Sequence, residues 1–189
     1  MDFESMVQAF RHETPVTPQA DPKPRFTSAH GNSAVGAALS LLGDDWVAFR
    51  GMQFGPASSR LDHLALGPGG VFAIMSRRHP GRAIWVERST FVVGGQRMPY
   101  VRTAEHDAAR VQKLLADALP PAVRVTPLIV VVDPGTVCVR EQPAEAVVLD
   151  ARGLARWLRR RPQVLGAEDV ARAAALAGRS AVRQRASAA

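Results

Sequence analysis

The side chains best placed to do chemistry lie within Leu61 to Gly81, LDHLALGPGGVFAIMSRRHPG. Asp62 and His63 precede the tetrad Gly67-Pro68-Gly69-Gly70, and Ser76-Arg77-Arg78-His79 follow it, with Arg82 close behind. A carboxylate so placed either ligates a hard cation or accepts hydrogen bonds from backbone amides. A cluster of arginines either grips phosphate oxygens by charge and paired hydrogen bonds or forms a solvated group paired with Glu87. His63 alternates to the opposite sheet face from Asp62, so the two do not form a dyad. Cys138, the single cysteine, sits in the β-branched run Val137-Cys138-Val139 and reads as a small core residue, not a nucleophile.

The elements that must hold these groups follow from patterning. Leu61, Leu64 and Leu66 on one side of the Gly-Pro-Gly-Gly tetrad, and Val71, Phe72 and Ile74 on the other, predict a β-hairpin that brings its polar groups to one edge of a sheet. Ser33 to Leu42, closed by Gly43, predicts a helix, and Trp46 to Phe49 a strand. Gln53 to Ser59 reads as a polar connection. After the hairpin, Ala83 to Val86 and Thr90 to Val93 predict a second hairpin. Ala104 to Leu119 predicts a helix with Thr103 as N-cap and Ala108, Val111, Leu115 and Leu119 on one face. Val123 to Val132 is the continuous apolar run of a strand buried on both faces, expected parallel to a hairpin strand through a right-handed crossover. Thr136 to Arg140 and Ala146 to Leu149 are short strands, Asp150 is placed to cap a helix from Ala151 to Arg160, and Ala167 to Arg185 is a last helix. Trp157 and Leu154 are expected on the core.

The organising stretch resembles the nuclease-related (NERD) domain, a relative of the restriction-endonuclease-like PD-(D/E)xK nucleases. The resemblance is carried by Leu61-Asp62-His63, Gly67-Pro68-Gly69-Gly70 and Gly81. It continues through Trp85-Val86, Thr90-Phe91, Val93-Gly94-Gly95-Gln96-Arg97 and Pro99-Tyr100-Val101-Arg102, spanning about Asn32 to Ala118 and looking like a mostly actinobacterial branch. It implies an α/β fold, a mixed central β-sheet flanked by helices. For active members it also implies a divalent-metal site built from a helix Glu, a strand Asp and a (D/E)-x-K pair. Asp62 occupies the Asp position, Met75 the acidic position and Arg77 the lysine position, while Asn32 falls near the helix glutamate. A thioether is no ligand for Mg²⁺, and arginine, with a pKa above ~12, cannot serve as a neutral base. The resemblance therefore implies a degenerate centre with Asp62 and Arg77 vestigial and no cofactor expected. Mg²⁺ or Mn²⁺ enters only under an alternative, an active nuclease in which Glu87 or Glu105 replaces the lost carboxylates.

Charge and length bound the partners. The net charge is +7, yet residues 1–150 carry 15 basic and 15 acidic side chains, whereas 151–189 carry 9 arginines against Glu168 and Asp169. Arg77, Arg78 and Arg82, with Arg159, Arg160 and Arg161, are the candidate nucleic-acid contacts. Only Lys23 and Lys113 are lysines against 22 arginines, the bias of a GC-rich genome, which raises the basicity without any polyanion partner. Tyr100 between Arg97 and Arg102 is a candidate for stacking a base. Phe3, Met6, Val7 and Phe10 predict an N-terminal amphipathic helix over 1–12, a route to a protein partner, joined by a Pro-rich linker over 13–30 to a core over 31–150 and Arg-rich helices over 151–189. No run reaches the roughly 18 apolar residues of a membrane span, and the acidic start is unlike a signal peptide, so a cytoplasmic location without membrane contact is expected.

Overall fold

The computed structural model describes residues 28–53 and 60–187, with side chains placed from Ala34 to Gln53 and from Arg60 to Ser180. The expected N-terminal helix, most of the Pro-rich linker and the connection before the hairpin lie outside the described residues. The first helix, α1 (Ser28–Leu39), begins earlier than Ser33 and ends before Gly43. Strand β1 (Val47–Gln53) leads to β2 (Arg60–Gly67) and β3 (Gly70–Arg78), the expected hairpin. The pair Gly67–Gly70 closes the turn, and Gly70 has φ +124°, a conformation that a side chain disfavours.

Strands β4 (Ala83–Glu87), β5 (Thr90–Val93) and the short β6 (Gln96–Arg97) follow, then helix α2 (Tyr100–Leu114) and β7 (Val125–Val132). Next come β8 (Thr136–Glu141), β9 (Val147–Asp150), a 3₁₀ turn over Ala151–Gly153, α3 (Leu154–Arg159) and α4 (Ala167–Ser187). The larger sheet runs β1-β2-β3-β7-β9. Its first three strands are antiparallel, and β7 pairs in parallel with both β3 and β9. This is the mixed, helix-flanked sheet of a restriction-endonuclease-like core.

Two strands stand apart from that sheet. β4 and β8 pair in parallel with each other in a smaller sheet ordered β6-β5-β4-β8. The cause is visible at the ends of β3 and β7, where the chains run side by side out of the sheet. His79 N donates to Val132 O, Gly81 N to Asp133 O and Gly135 N to Arg82 O, all at 2.9–3.0 Å. Gly135 lies so close to Gly81 that a Cβ there would come within 2.4 Å of the Gly81 carbonyl oxygen.

The sheet has two unlike faces. Ala65, Phe72, Ile74, Leu128 and Val130 pack under α1 and α3 together with Val35, Leu39, Leu154 and Leu158. On the other face Leu64, Leu66, Val71 and Ala73 meet Ala108 and Val111 of α2, Leu115 just after it, and Val170 and Ala173 of α4. The apolar stripe read from the α2 sequence is thus buried, but the helix starts four residues before Ala104. Thr103 is not its cap, because its hydroxyl donates back to Pro99 O at 2.9 Å inside the first turn. Asp150 does cap the 3₁₀ turn, accepting from Arg152 N at 2.8 Å. Cys138 is exposed, contrary to expectation: Val137 and Val139 turn inward from an edge strand, and alternation sends Cys138 out. Among the described residues no helix is long and apolar enough to cross a membrane.

Candidate functional site

Asp62 lies one residue before the His63–Ile74 pair, on the sheet face turned toward α2, and its partners come from the end of β3. Its Oδ2 accepts from Ser76 N at 2.8 Å, from Ser76 Oγ at 3.3 Å and from Arg77 Nη1 at 3.0 Å. Arg77 Nη1 also donates to the carbonyl of Ser76 at 2.7 Å, so the guanidinium bridges strand and carboxylate. The ion pair is mostly enclosed, with 23% of the Arg77 side chain and 14% of that of Asp62 exposed. A charge-assisted pair so enclosed is held firmly, because either charge alone would have to be solvated by protein.

A ring system continues from the guanidinium. Arg77 Cζ lies 5.3 Å from the centroid of Tyr100, whose hydroxyl is hydrogen-bonded to His79 Nε2 at 3.2 Å. Tyr100 and His79 are 5% and 8% exposed, and Phe91 meets Tyr100 edge-on with centroids 5.1 Å apart. Burial, helped by the positive charges of Arg77 and Arg82, holds the His79 pKa below its ordinary 6.5. Burial pushes the Tyr100 phenol up, against a smaller opposing pull from Arg77. Both rings are therefore neutral near pH 7. Tyr100 is packed inside the core and offers no face on which a base could stack.

Asp107 of α2 shares this field. Burial raises its pKa, with the charge of Asp62 adding to the rise and His106, Arg110 and Arg77 opposing it. The carboxylate whose charge is felt with that of Asp62 is thus Asp107, not Glu105 or Glu87, the replacements named under the alternative of an active nuclease. Its place was legible in principle, since it stands three residues after buried Ala104 and one before buried Ala108. The helix begins at Tyr100, so its buried stripe runs through Tyr100, Ala104, Ala108 and Val111, and Asp107 borders it.

The remaining sequence candidates divide between two places. Met75 is 2% exposed and packs with Ile84, Val86, Phe91, Tyr100 and Val101. Asn32 is in the first turns of α1, a helix packed on the sheet face opposite to Asp62, Met75 and Arg77; its side chain lies outside the described residues. Arg78 pairs with Asp133 at 2.7 Å, not with Glu87, and Arg82 is exposed beside Gly94. Arg159, Arg160 and Arg161 stand at the other end of β3, beside the Gly67–Gly70 turn: a Cβ on Gly69 would lie 2.6 Å from the Cβ of Arg161. The nine residues of β3 separate the two arginine groups by about 25 Å. They do not form one surface.

The donor set around Asp62 does not suit a hard divalent cation. Such an ion takes several oxygen ligands, whereas here one carboxylate oxygen is shared by three donors and the adjacent motif position is a buried thioether. Among the described residues no three His, Cys, Asp or Glu side chains are grouped to hold a metal.

A mixed sheet flanked by helices, with an antiparallel hairpin carrying Asp62 before its turn and the Met75-x-Arg77 positions after it, has the framework of the restriction-endonuclease-like nucleases. The family model of the nuclease-related domain matches residues 27–132, more than half of the chain, and the protein belongs to that family. Comparison with curated proteins and with solved structures gave no match.

Proposed function

We propose that this chain is a catalytically degenerate nuclease-related domain that binds nucleic acid without efficient cleavage. The observation that carries the reading is the Arg77–Asp62 pair at 3.0 Å. A permanently charged guanidinium neutralises the carboxylate that would otherwise ligate a cation, and it cannot lower the pKa of a bound water as a metal does. Family membership, and the placing of all the excess charge in 151–189, where nine arginines meet only Glu168 and Asp169, support the nucleic-acid half of the reading.

The test is one titration of plasmid and single-stranded DNA with Mg²⁺ or Mn²⁺ against EDTA, at low and moderate salt, with Asp62→Ala in parallel. Salt-sensitive binding that EDTA leaves unchanged, with no cutting, is the expected result. Metal-dependent cutting that disappears in Asp62→Ala would overturn the reading in favour of an active nuclease. Absence of binding in the wild type would overturn it in favour of a protein partner.

A further inference from the structure

We propose that the nucleic acid is held away from the Asp62 centre, at the hairpin-turn end of β3, by Arg156, Arg159, Arg160 and Arg161 with Trp157, and that the strand held there is single. This rests on the nucleic-acid reading above and deepens it by assigning the surface. Arg156, Arg159 and Arg160 fall at i, i+3 and i+4 and share one side of α3. All four arginines are exposed, and among the described residues none forms an ion pair; exposed Arg82 at the other end forms none either, but it stands there as a single such side chain after the paired Arg77 and Arg78, whereas here four are grouped within six residues. A positive cluster without carboxylate partners is complementary to a polyanion.

The local packing makes this cluster a formed surface. Val164 N and Leu165 N donate to Pro68 O at 2.8 and 3.1 Å, and Arg161 is pressed against Gly69, so the segment after α3 is fastened to the hairpin turn. Arg161 Cζ sits 4.3 Å from the centroid of Trp157, whose indole meets Phe72 edge-on at 5.7 Å. The half-exposed indole thus has one edge anchored in the core and a cation over its face. Aromatic rings flanked by guanidinium groups stack unpaired bases while the charges hold the backbone, which favours a single strand over a duplex or an acidic protein.

The experiment measures anisotropy of a labelled oligothymidylate with the full chain between about 50 and 200 mM salt. The variants are Arg159→Ala/Arg160→Ala, Trp157→Phe, and Arg78→Ala/Arg82→Ala at the far end. The first variant is expected to weaken binding on the order of tenfold and to make the slope of log K against log salt shallower by about 1.4, near 0.7 per lost phosphate contact. Trp157→Phe should abolish most of the change in tryptophan emission on binding. Arg78→Ala/Arg82→Ala should stay within about twofold of wild type, since those side chains lie outside the assigned surface. If the wild type binds and the Arg159/Arg160 variant binds equally well, this inference fails while the functional reading stands. If Arg78→Ala/Arg82→Ala is the weakened variant, the surface is at the other end. Wild type that binds phosphatidylserine vesicles but no oligonucleotide overturns both readings in favour of a membrane surface.

Discussion

The arginines carried by β3 itself and those gathered beside its turn are used in opposite ways. At the end near Asp62, Arg77 and Arg78 are each committed to a carboxylate, and the first of these pairs is enclosed between sheet and helix. At the turn end, the arginines of and after α3 face solvent without a partner among the described residues. The difference teaches that net charge is a poor guide to binding until each cation has been assigned a partner. An arginine whose charge is spent inside the protein contributes stability; one left uncompensated contributes an outward field.

The largest effect that would sharpen this contrast is on Arg77. Arg77→Ala leaves the carboxylate of Asp62, 14% exposed, without its cation, and should cost about 3 kcal/mol, below the upper range for breaking a fully buried pair. Arg160→Ala should change stability by less than about 0.5 kcal/mol, as exposed substitutions do. Urea denaturation of both variants decides the matter, and equal losses would erase the distinction between the two ends. At the turn end, Gly69→Ala should cost about 1–2 kcal/mol, because the new Cβ would lie 2.6 Å from the Cβ of Arg161 and must displace the segment fastened to Pro68. It should also weaken oligonucleotide binding, while Arg77→Ala, where still folded, should not.

How much of this was legible in the sequence depends on whether the deciding contact was local. The Asp62 hairpin was legible because its turn and flanking strands are contiguous, and the parallel β7 because an unbroken apolar run implies burial on both faces. The division into two sheets was not, since nothing within Ala83–Glu87 or Thr136–Glu141 says which strand will lie alongside. Cys138 misled for a related reason: Val137 and Val139 alternate with it, and on an edge strand alternation means one face out. Met75 and Arg77 could be recognised as departures from a motif. That Arg77 turns in upon Asp62, or that Arg78 finds Asp133 at φ +54° in a loop 55 residues away, is tertiary information.

Protonation gives a smaller and differently signed test of the enclosed end. Because His79 has a folded-state pKa below 6.5, the unfolded chain binds more protons as pH falls through 6.5, so the stability that neutral His79 supports is present above that value and is lost below it. Asp107 acts with the opposite sign at lower pH, since its raised pKa keeps a proton on the folded form above the ordinary 3.8. Between about pH 7.5 and 5.5 the His79 contribution should dominate and the thermal midpoint should fall with pH. His79→Gln should flatten that fall; an unchanged slope would show that His79 does not carry it.

The smallest effect is the most discriminating, because it sets two neighbouring residues against each other. Arg78 is bonded to Asp133 at 2.7 Å, closer than Arg77 is to Asp62 at 3.0 Å. Distance alone would rank Arg78 as the stronger pair. Yet 35% of the Arg78 side chain and 55% of that of Asp133 are exposed, so water screens the attraction and solvates either group once the other is gone. Arg78→Ala should therefore cost only about 0.5 kcal/mol, a loss that shrinks further in added salt, against the roughly sixfold larger cost at Arg77. A loss at Arg78 as large as that at Arg77 would mean that the pair serves chiefly to pin the crossing of β3 and β7 into the smaller sheet, where His79 N, Gly81 N and Gly135 N already tie the two chains together. The salt dependence separates the two causes, since a screened charge pair weakens with ionic strength and a backbone crossing does not.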